Sequence, residues 1–594
     1  MPEHILVAVA WPYANADIHV GNLVGAYLPA DIFARYHRLA GNHVLMVSGS
    51  DSHGTPVTVR ADAEGVTSQA VYERYHTRFL DLFQQAGLTY DLFTSTHTEN
   101  HFRVSQDIFL KLLADGFLFR QTEPQWYSPA ESRFLPDRYV EGECYICHYA
   151  NARGDQCDNC GNLLDANLLI KPHAKASGVA LELRDTEHFY LDLAKLAPGL
   201  TKWLNDDKSH WRAQVINPSR RQAESGELRG RAITRDLEWG IPVPVAGWDS
   251  KRLYVWFEAV IGYFSASIEW AAQRTSDPLA WKRWWYDPAA KTYYFIGKDN
   301  IPFHAVIWPA ELLGVDRLYE DDPARHLNLP YDVPANEFLN LEGQKISGSR
   351  NWAVWALDFL SRYDPDPLRY YLTAVMPETR DAEWEWAGFV AHNNNELVAT
   401  WGNLANRVLT FAYKHWDGHV PTPDTLRPQD EGLLALIEGG FKTVGDLIAA
   451  VKLRAALGEA LALATEANKY LDAQGPWFEV KKDKAEAART VYTALKAIDS
   501  LKMLFAPFLP FTSEKLHQYL GYDGPLFGTQ KVETYTDGLG EHTALTYDAT
   551  GTTGRWVPST LAPGQALRTP GPLFKKLDDA VVVEAEKARL GQGS

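Results

Sequence analysis

The 594-residue sequence predicts an α/β fold: a parallel-sheet domain interrupted by an insertion and followed by an α-helical bundle. Three observations predict it. First, "HILVAVA" and "HVLMVSGSDSHGTP" are short apolar runs ending in polar turns. Between them "GNLVGAYLPADIFARYHRLAG" carries apolar residues at helical spacing and stops at Gly41, so the whole reads as a βαβ unit. Second, the pattern of strand, polar turn and helix returns in "YYFIGKDNIPFHAVIWPAELLG", which supplies the second half of the same sheet. Third, beyond "DPDPLRYYL", from about Asp381 to Tyr519, long stretches place apolar residues three and four apart, the pattern of a helical bundle.

Each element brings its own chemistry. Open parallel sheets bind ligands at the carboxyl ends of their strands, which is where "PYANADIHVGN" puts His19, Gly21 and Asn22. This turn has no GxGxxG and no GxxxxGK[ST], so phosphate there would be held by side chains, with His19 as donor. The alternative is a capping or packing role for His19 and Asn22. The second strand-to-helix turn carries Lys298, Asp299 and His304. Soon after, "LEGQKISGSRNWAVW" sets Lys345 and Arg350 in a Gly and Ser loop. Such a loop is either a mobile clamp on a polyphosphate or a solvated turn.

All four cysteines, Cys144, Cys147, Cys157 and Cys160, fall in "CYICHYANARGDQCDNCG" between the two halves. Two CxxC pairs at this spacing match a closed tetrahedral structural zinc site, with two disulfides as the competing reading. The length implies roughly three to five domains. No apolar run reaches the length of a membrane span, and "MPEHIL" lacks the features of a signal peptide, so a cytoplasmic protein is expected. A formal charge of -17 does not advertise a nucleic-acid binder, although a local basic groove is compatible with it.

"HVGN" after the first strand, "KISGS" in a late loop and the four-cysteine knuckle between the halves together resemble the class I aminoacyl-tRNA synthetases, specifically the methionyl-tRNA synthetase family. The most specific pieces are "PYANADIHVGN", "GSDSHGTP", "RFLPDRYVEG", "YVWFEAVIGY" and "FIGKDNIPFH", and the resemblance extends to about residue 535. It implies a Rossmann-like catalytic domain in two halves (1–115 and 233–325) around a zinc-knuckle connective insertion (116–232). A linking domain with the second signature loop (326–380), a helical anticodon-binding domain (381–535) and a C-terminal tail (536–594) complete the expected plan.

The resemblance also implies the chemistry: attack of the methionine carboxylate on the α-phosphate of ATP, release of pyrophosphate, and transfer of methionine from the adenylate to tRNA(Met). It assigns His19, Asn22, Lys345, Ser347, Ser349 and Arg350 to catalysis. His19, Gly21, Asn22, Lys298, Asp299 and Lys345 go to ATP, with Mg accompanying the nucleotide. Trp11, Tyr13, Asp51, Trp256, Ala259, Val260, Tyr263, Asn300 and His304 go to methionine, with Asp51 near its amino group. Asn403, Arg407 and Trp477 match the anticodon-recognition positions, where stacking and edge hydrogen bonds read unpaired bases.

The sequence departs from the family pattern in places. Asn22 stands for the last signature histidine, and Gly348 stands where the common pattern has lysine; Arg350, two residues on, is a candidate replacement for that charge. Trp11 replaces a common leucine, and Val260 and Asn300 replace residues often apolar or proline in relatives. The positions of a second four-cysteine site found in some relatives hold Ser128, Glu131, Ala174 and Ser177, so one zinc per chain is expected. Leucine, isoleucine and valine enzymes share the two signatures, but the 116–232 insertion leaves no room for the editing domain those enzymes add. A catalytically weak relative that binds tRNA or protein partners is the other alternative, motivated by Asn22 and Gly348. The chain does not reach the dimerising oligonucleotide-fold module of some relatives. A monomer is therefore expected, its tail lying back on the catalytic body or ending loosely.

Overall fold

The computed structural model describes residues 2–591 apart from 137, 138, 155, 156, 158, 161–163, 165, 176 and 227. Strands β1 (His4–Val9), β2 (His43–Ser50) and β3 (Leu92–Ser95) precede the insertion, which is built on the antiparallel pair β4 (Leu118–Ser128) and β5 (Glu182–Leu191). Strands β6 (Lys291–Gly297) and β7 (Ala335–Asn336) follow it, and the hairpin β8 (Thr529–Asp537) and β9 (Gly540–Asp548) comes from much later in the chain. Seven of these form one sheet in the order β7-β6-β1-β2-β3-β9-β8. The first five run parallel, with Ala8 facing Tyr294 on one side and Val47 on the other, while β9 joins β3 antiparallel.

β1 is buried on both faces, as its unbroken apolar run requires, and its alternation sorts it between two cores. Ile5, Val7 and Val9 enter the core shared with the helical bundle. Leu6 and Ala8 enter the core beneath the insertion. Helices α1 (Leu28–Leu39), α2 (Ser68–Gln85) and α3 (Glu99–Ala114) belong to the first half, and α4 (Val255–Arg274) and α5 (Trp308–Val315) to the second. α1 and α5 each carry proline at the first turn and are each preceded by a π-helical turn, Leu23–Tyr27 and Phe303–Ile307. The two halves thus repeat one device, a widened turn directly after the strand end.

Helix α6 (Pro365–Ala374) connects this body to the bundle of α7 (Asn403–His415), α8 (Pro428–Ala449), α9 (Leu453–Gln474) and α10 (Lys484–Phe505). A last helix, α11 (Asp579–Arg589), returns to pack near the loop that carries Lys345. The joint is fixed by Arg369 of α6, which is fully buried. Its guanidinium donates to Asp31 of α1 (2.7 Å), to the Ala86 carbonyl (3.1 Å) and to the Phe508 carbonyl (2.9 Å). Among the described residues, no helix is long and apolar enough to cross a membrane.

Two boundaries differ from the sequence reading. β7 belongs to the central sheet yet falls in the segment assigned to the linking domain, because a two-residue strand has no periodicity to detect. The hairpin β8–β9 crosses position 536, where bundle was divided from tail. β8 is an edge strand rich in charged and polar residues and so lacks the apolar alternation of a buried strand. β9 nevertheless lies against β3, with Leu545 opposite Phe93.

Candidate active site

The turn after β1 is organised by its own side chains. His19 caps the short helix Val20–Asn22: its Nδ1 accepts from the Asn22 amide (3.3 Å), and the Asn22 side-chain oxygen accepts from the His19 amide (3.1 Å). The capping role is therefore present, and it has a chemical consequence. With Nδ1 occupied as acceptor, the neutral ring carries its proton on Nε2, and burial pushes the imidazole down to about 4. At neutral pH His19 offers one N–H donor and no charge.

The Lys345 loop lies over this turn. The amide of Val20 donates to the Val354 carbonyl (2.9 Å) and the amide of Ala356 to the Ile18 carbonyl (3.0 Å), while the His19 and Trp355 rings are 6.1 Å apart. A β-carbon at Gly21 would stand 3.0 Å from the His19 ring and 3.1 Å from Ile346, so glycine allows the loop to approach. Lys345 is exposed, and it and Lys298 both lie over the ring of Phe338, their ammonium groups 5.3 and 4.1 Å from the ring centre. Lys298 also pairs with Glu337 (2.8 Å) and Asp381 (2.7 Å), and it is Lys298 first of all that holds Asp381 below the usual carboxylate range. Asp299 and Arg350 are exposed, Ser347 pairs with Trp352 through the backbone, and the Ser349 side chain lies outside the described part of the structure. At Gly348 a β-carbon would approach Trp355 to 3.3 Å.

Beside the turn lies an aromatic pocket. Tyr13 meets Trp256 edge-on at 5.8 Å, and Trp256 stacks on Phe303 at 3.9 Å. Trp256, Ala259, Val260 and Tyr263 fall on one face of α4, the last three buried. The Tyr263 hydroxyl bonds His304 Nε2 (2.7 Å), and His304 Nδ1 donates to the Asn300 carbonyl (3.0 Å), which fixes the neutral tautomer; burial holds His304 at about 4. Trp11 meets Tyr263 at 6.3 Å and lies in a slot left by two glycines, for a β-carbon at Gly262 would come within 2.6 Å of the indole.

Asp51 closes this group, its backbone paired with that of Tyr13. It is buried, and its Oδ1 has no hydrogen-bond partner among the described residues. Burial, and then the charge of Glu258, hold its carboxyl well above the usual range. Glu258 itself accepts from His53 (2.9 Å) and His101 (2.6 Å), and against the penalty of burial these rings hold it below the usual range.

The four cysteines are also brought together. Their sulfur atoms all lie within 4.8 Å of one another, with Cys147 and Cys157 3.6 Å apart. A tetrahedral ion with bonds near 2.3 Å needs sulfurs about 3.8 Å apart, so the donor set fits. The surrounding core contains only a few apolar residues, among them Leu135, Val140 and Leu169. At the positions of the absent second site, Ser128 accepts from the Glu131 amide (3.2 Å) and Ser177 donates to the Glu131 carboxylate (2.9 Å). Hydrogen bonds join residues where thiolates would otherwise converge.

Residues 5–409 match the family described as tRNA synthetases class I (M), and residues 420–592 match the anticodon binding domain of methionyl tRNA ligase. The chain belongs to the methionyl class I tRNA synthetases. This synthetase is 56% identical over 594 residues to the methionine–tRNA ligase of Thermomicrobium roseum, covering 100% of both chains. To that of Roseiflexus castenholzii it is 54% identical over 600 residues, covering 99% of each. Among solved structures it is similar to Mycobacterium tuberculosis methionyl-tRNA synthetase in complex with methionyl-adenylate. There the TM-score is 0.75 at 25% identity, over 97% of this chain and 100% of that one.

In the helical domain of the synthetase, Asn403 and Arg407 stand one turn apart on α7. The Arg407 guanidinium donates to Asn468 (3.0 Å) and lies over the Trp477 ring at 5.2 Å, so these two expected positions form one surface. Sequence reasoning missed Phe303, Phe338, Ile346, Glu258 and His101. Phe303, Ile346 and Glu258 each adjoin an assigned residue in a motif segment, but what they touch is distant in sequence; Phe338 and His101 have no such local signal.

Proposed function

We propose that this chain joins L-methionine to tRNA(Met) through methionyl-adenylate. The observation that carries the proposal is the buried Asp51 carboxylate, which has an unpartnered oxygen and adjoins a pocket of aromatic rings. A carboxylate held above its usual pKa is relieved by an ammonium group, while the rings of Tyr13, Trp256 and Tyr263 suit a flexible thioether chain. The amino acid's carboxylate then attacks the α-phosphorus of ATP, an anhydride bond forms, and pyrophosphate leaves. The ribose hydroxyl of the tRNA end attacks the carbonyl, and AMP leaves. Neither step needs a nucleophilic side chain; both need position and charge stabilisation.

In this reading His19 donates from Nε2 to the phosphates, Asn22 and the Gly21 backbone line the same turn, and Lys345 faces the leaving pyrophosphate. Lys298 and Asp299 flank the nucleotide, and Ser347, Ser349 and Arg350 complete the loop. Mg accompanying ATP supplies charge neutralisation. Asn403, Arg407 and Trp477 read the anticodon. Cys144, Cys147, Cys157 and Cys160 hold one zinc, whose contribution is structural because four thiolates close its shell.

Gly348 removes a cation that the loop would otherwise carry, and Arg350 supplies it. The test is methionine-dependent exchange of pyrophosphate into ATP, with leucine, isoleucine and valine in parallel. Exchange is expected with methionine alone, and Arg350→Ala is expected to slow it about 10- to 100-fold. No exchange with methionine overturns the activity; an unaffected Arg350→Ala overturns the compensation.

A further inference from the structure

The loop that bears Lys345 is held at both ends by one distant element, the last helix of the chain. At its start, Glu342 occupies the left-handed region (φ 48°), and its carboxylate accepts from Lys587 of α11 (2.7 Å) and from the Trp386 amide (2.9 Å). At its end, Asn351 is also left-handed (φ 50°), and its carbonyl accepts from the amide of Gly591, just beyond α11 (3.1 Å). Glu342 takes this conformation with Gly343 as the central pair of the tight hairpin turn between Leu341 and Gln344, and Asn351 takes it where it closes the short helical turn Gly348–Arg350, so the last helix grips the loop at two defined turns. The helix in turn is anchored beneath the loop. Glu586, buried, accepts from both sides of the Arg362 guanidinium (2.8 and 2.9 Å) and from the Tyr363 hydroxyl (2.8 Å).

We infer that α11 is a clamp that sets the Lys345 loop against the His19 turn, and that Lys587 is a positioning residue for nucleotide binding. This rests on the function proposed above. On one side Ile346 lies over Gly21, too near to leave room for a β-carbon there; on the other, the Glu342 and Asn351 ends are fixed to α11, so the segment between them is held to one path. A loop pre-set in this way costs less to order on a polyphosphate. Methionine meets the aromatic pocket and not this loop, so the clamp acts on the nucleotide alone.

The experiment uses the full chain and the variants Lys587→Met, Lys587→Arg and Glu342→Gln. Lys587 is a surface side chain, and Gln at 342 keeps an acceptor for the Trp386 amide, so folding is preserved. Lys587→Met is expected to raise the KM for ATP about fivefold in the exchange reaction, leaving the KM for methionine unchanged. Lys587→Arg is expected to restore it, and Lys587→Met combined with Glu342→Gln to be no worse than either alone. Trypsin cleavage after Lys345 and Arg350 is expected to quicken in Lys587→Met and not in Lys587→Arg. Unchanged cleavage with an unchanged KM for ATP overturns the clamp. Failure of the unaltered chain to exchange with methionine overturns the function instead, and the cleavage rates still report on the clamp.

Discussion

Asp51 shows most sharply how a single residue can be set against stability: it is buried, and its Oδ1 has no hydrogen-bond partner among the described residues. A buried carboxyl whose pKa is raised stabilises the fold at low pH, and that contribution is lost as pH rises through the raised value. Asp51→Asn removes the charge. The ligand-free variant is therefore expected to be more stable than the native chain at neutral pH, by about 1–2 kcal/mol, with the gap closing toward about pH 4. Its kcat/KM for methionine is expected to fall at least about 100-fold. Urea unfolding across pH, beside exchange kinetics, checks both; a variant that is less stable at neutral pH would mean that the Asp51 charge is compensated in the free protein. Much at this scale was legible. His19, Asn22 and His304 stand in strand-to-helix turns that a linear string displays, whereas Tyr13, Asp51 and Trp256 were pointed to by the family resemblance of their segments. Glu258 did not stand out, because nothing in "VWFEAVIGY" says that His53 and His101 will meet its two oxygens.

The cysteine knuckle is the element whose integrity depends most on something other than its own packing. Its apolar core is too small to fold unaided, and a four-thiolate zinc site contributes folding free energy directly. Purified protein is expected to hold one zinc per chain through dialysis against EDTA, and Cys147→Ser to hold none and to be cut readily by protease between 144 and 160. Metal analysis settles the count: two ions per chain would contradict the hydrogen-bonded replacement of the second site by Ser128, Glu131 and Ser177. This element is the most legible in the sequence, since a CxxC pair carries its geometry in its spacing. The β8–β9 hairpin is the least legible. Its pairing partner β3 lies more than four hundred residues upstream, and an edge strand satisfies its outer face with water.

For the whole molecule the decisive joint is Arg369. Its guanidinium ties α1, the turn at Ala86 and the carbonyl of Phe508 into one unit, so the body that activates the amino acid and the bundle that reads RNA share a buried ion pair. Removing Arg369 leaves Asp31 with Arg35 as its remaining ion-pair partner and strands the carbonyls of Ala86, Pro507 and Phe508. Arg369→Met is expected to cost about 3–5 kcal/mol of stability and to lower tRNA charging more than methionine-dependent exchange. Equal losses in both reactions would mean that the joint does not align the two bodies.

The sequence by itself determined the strand-to-helix turns, the four-thiolate set, the split parallel sheet and the helical bundle. Each is a matter of residue type at short spacing, where propensity, periodicity and ligand chemistry act locally. Only the tertiary structure decided that β9 joins the catalytic sheet, that Lys298 and Lys345 both meet the Phe338 ring, and that α11 reaches the loop ends at Glu342 and Asn351. Those contacts join segments far apart in the chain. Their free energy comes from burial and pairing that exist only once the chain has closed on itself, and no local pattern encodes it.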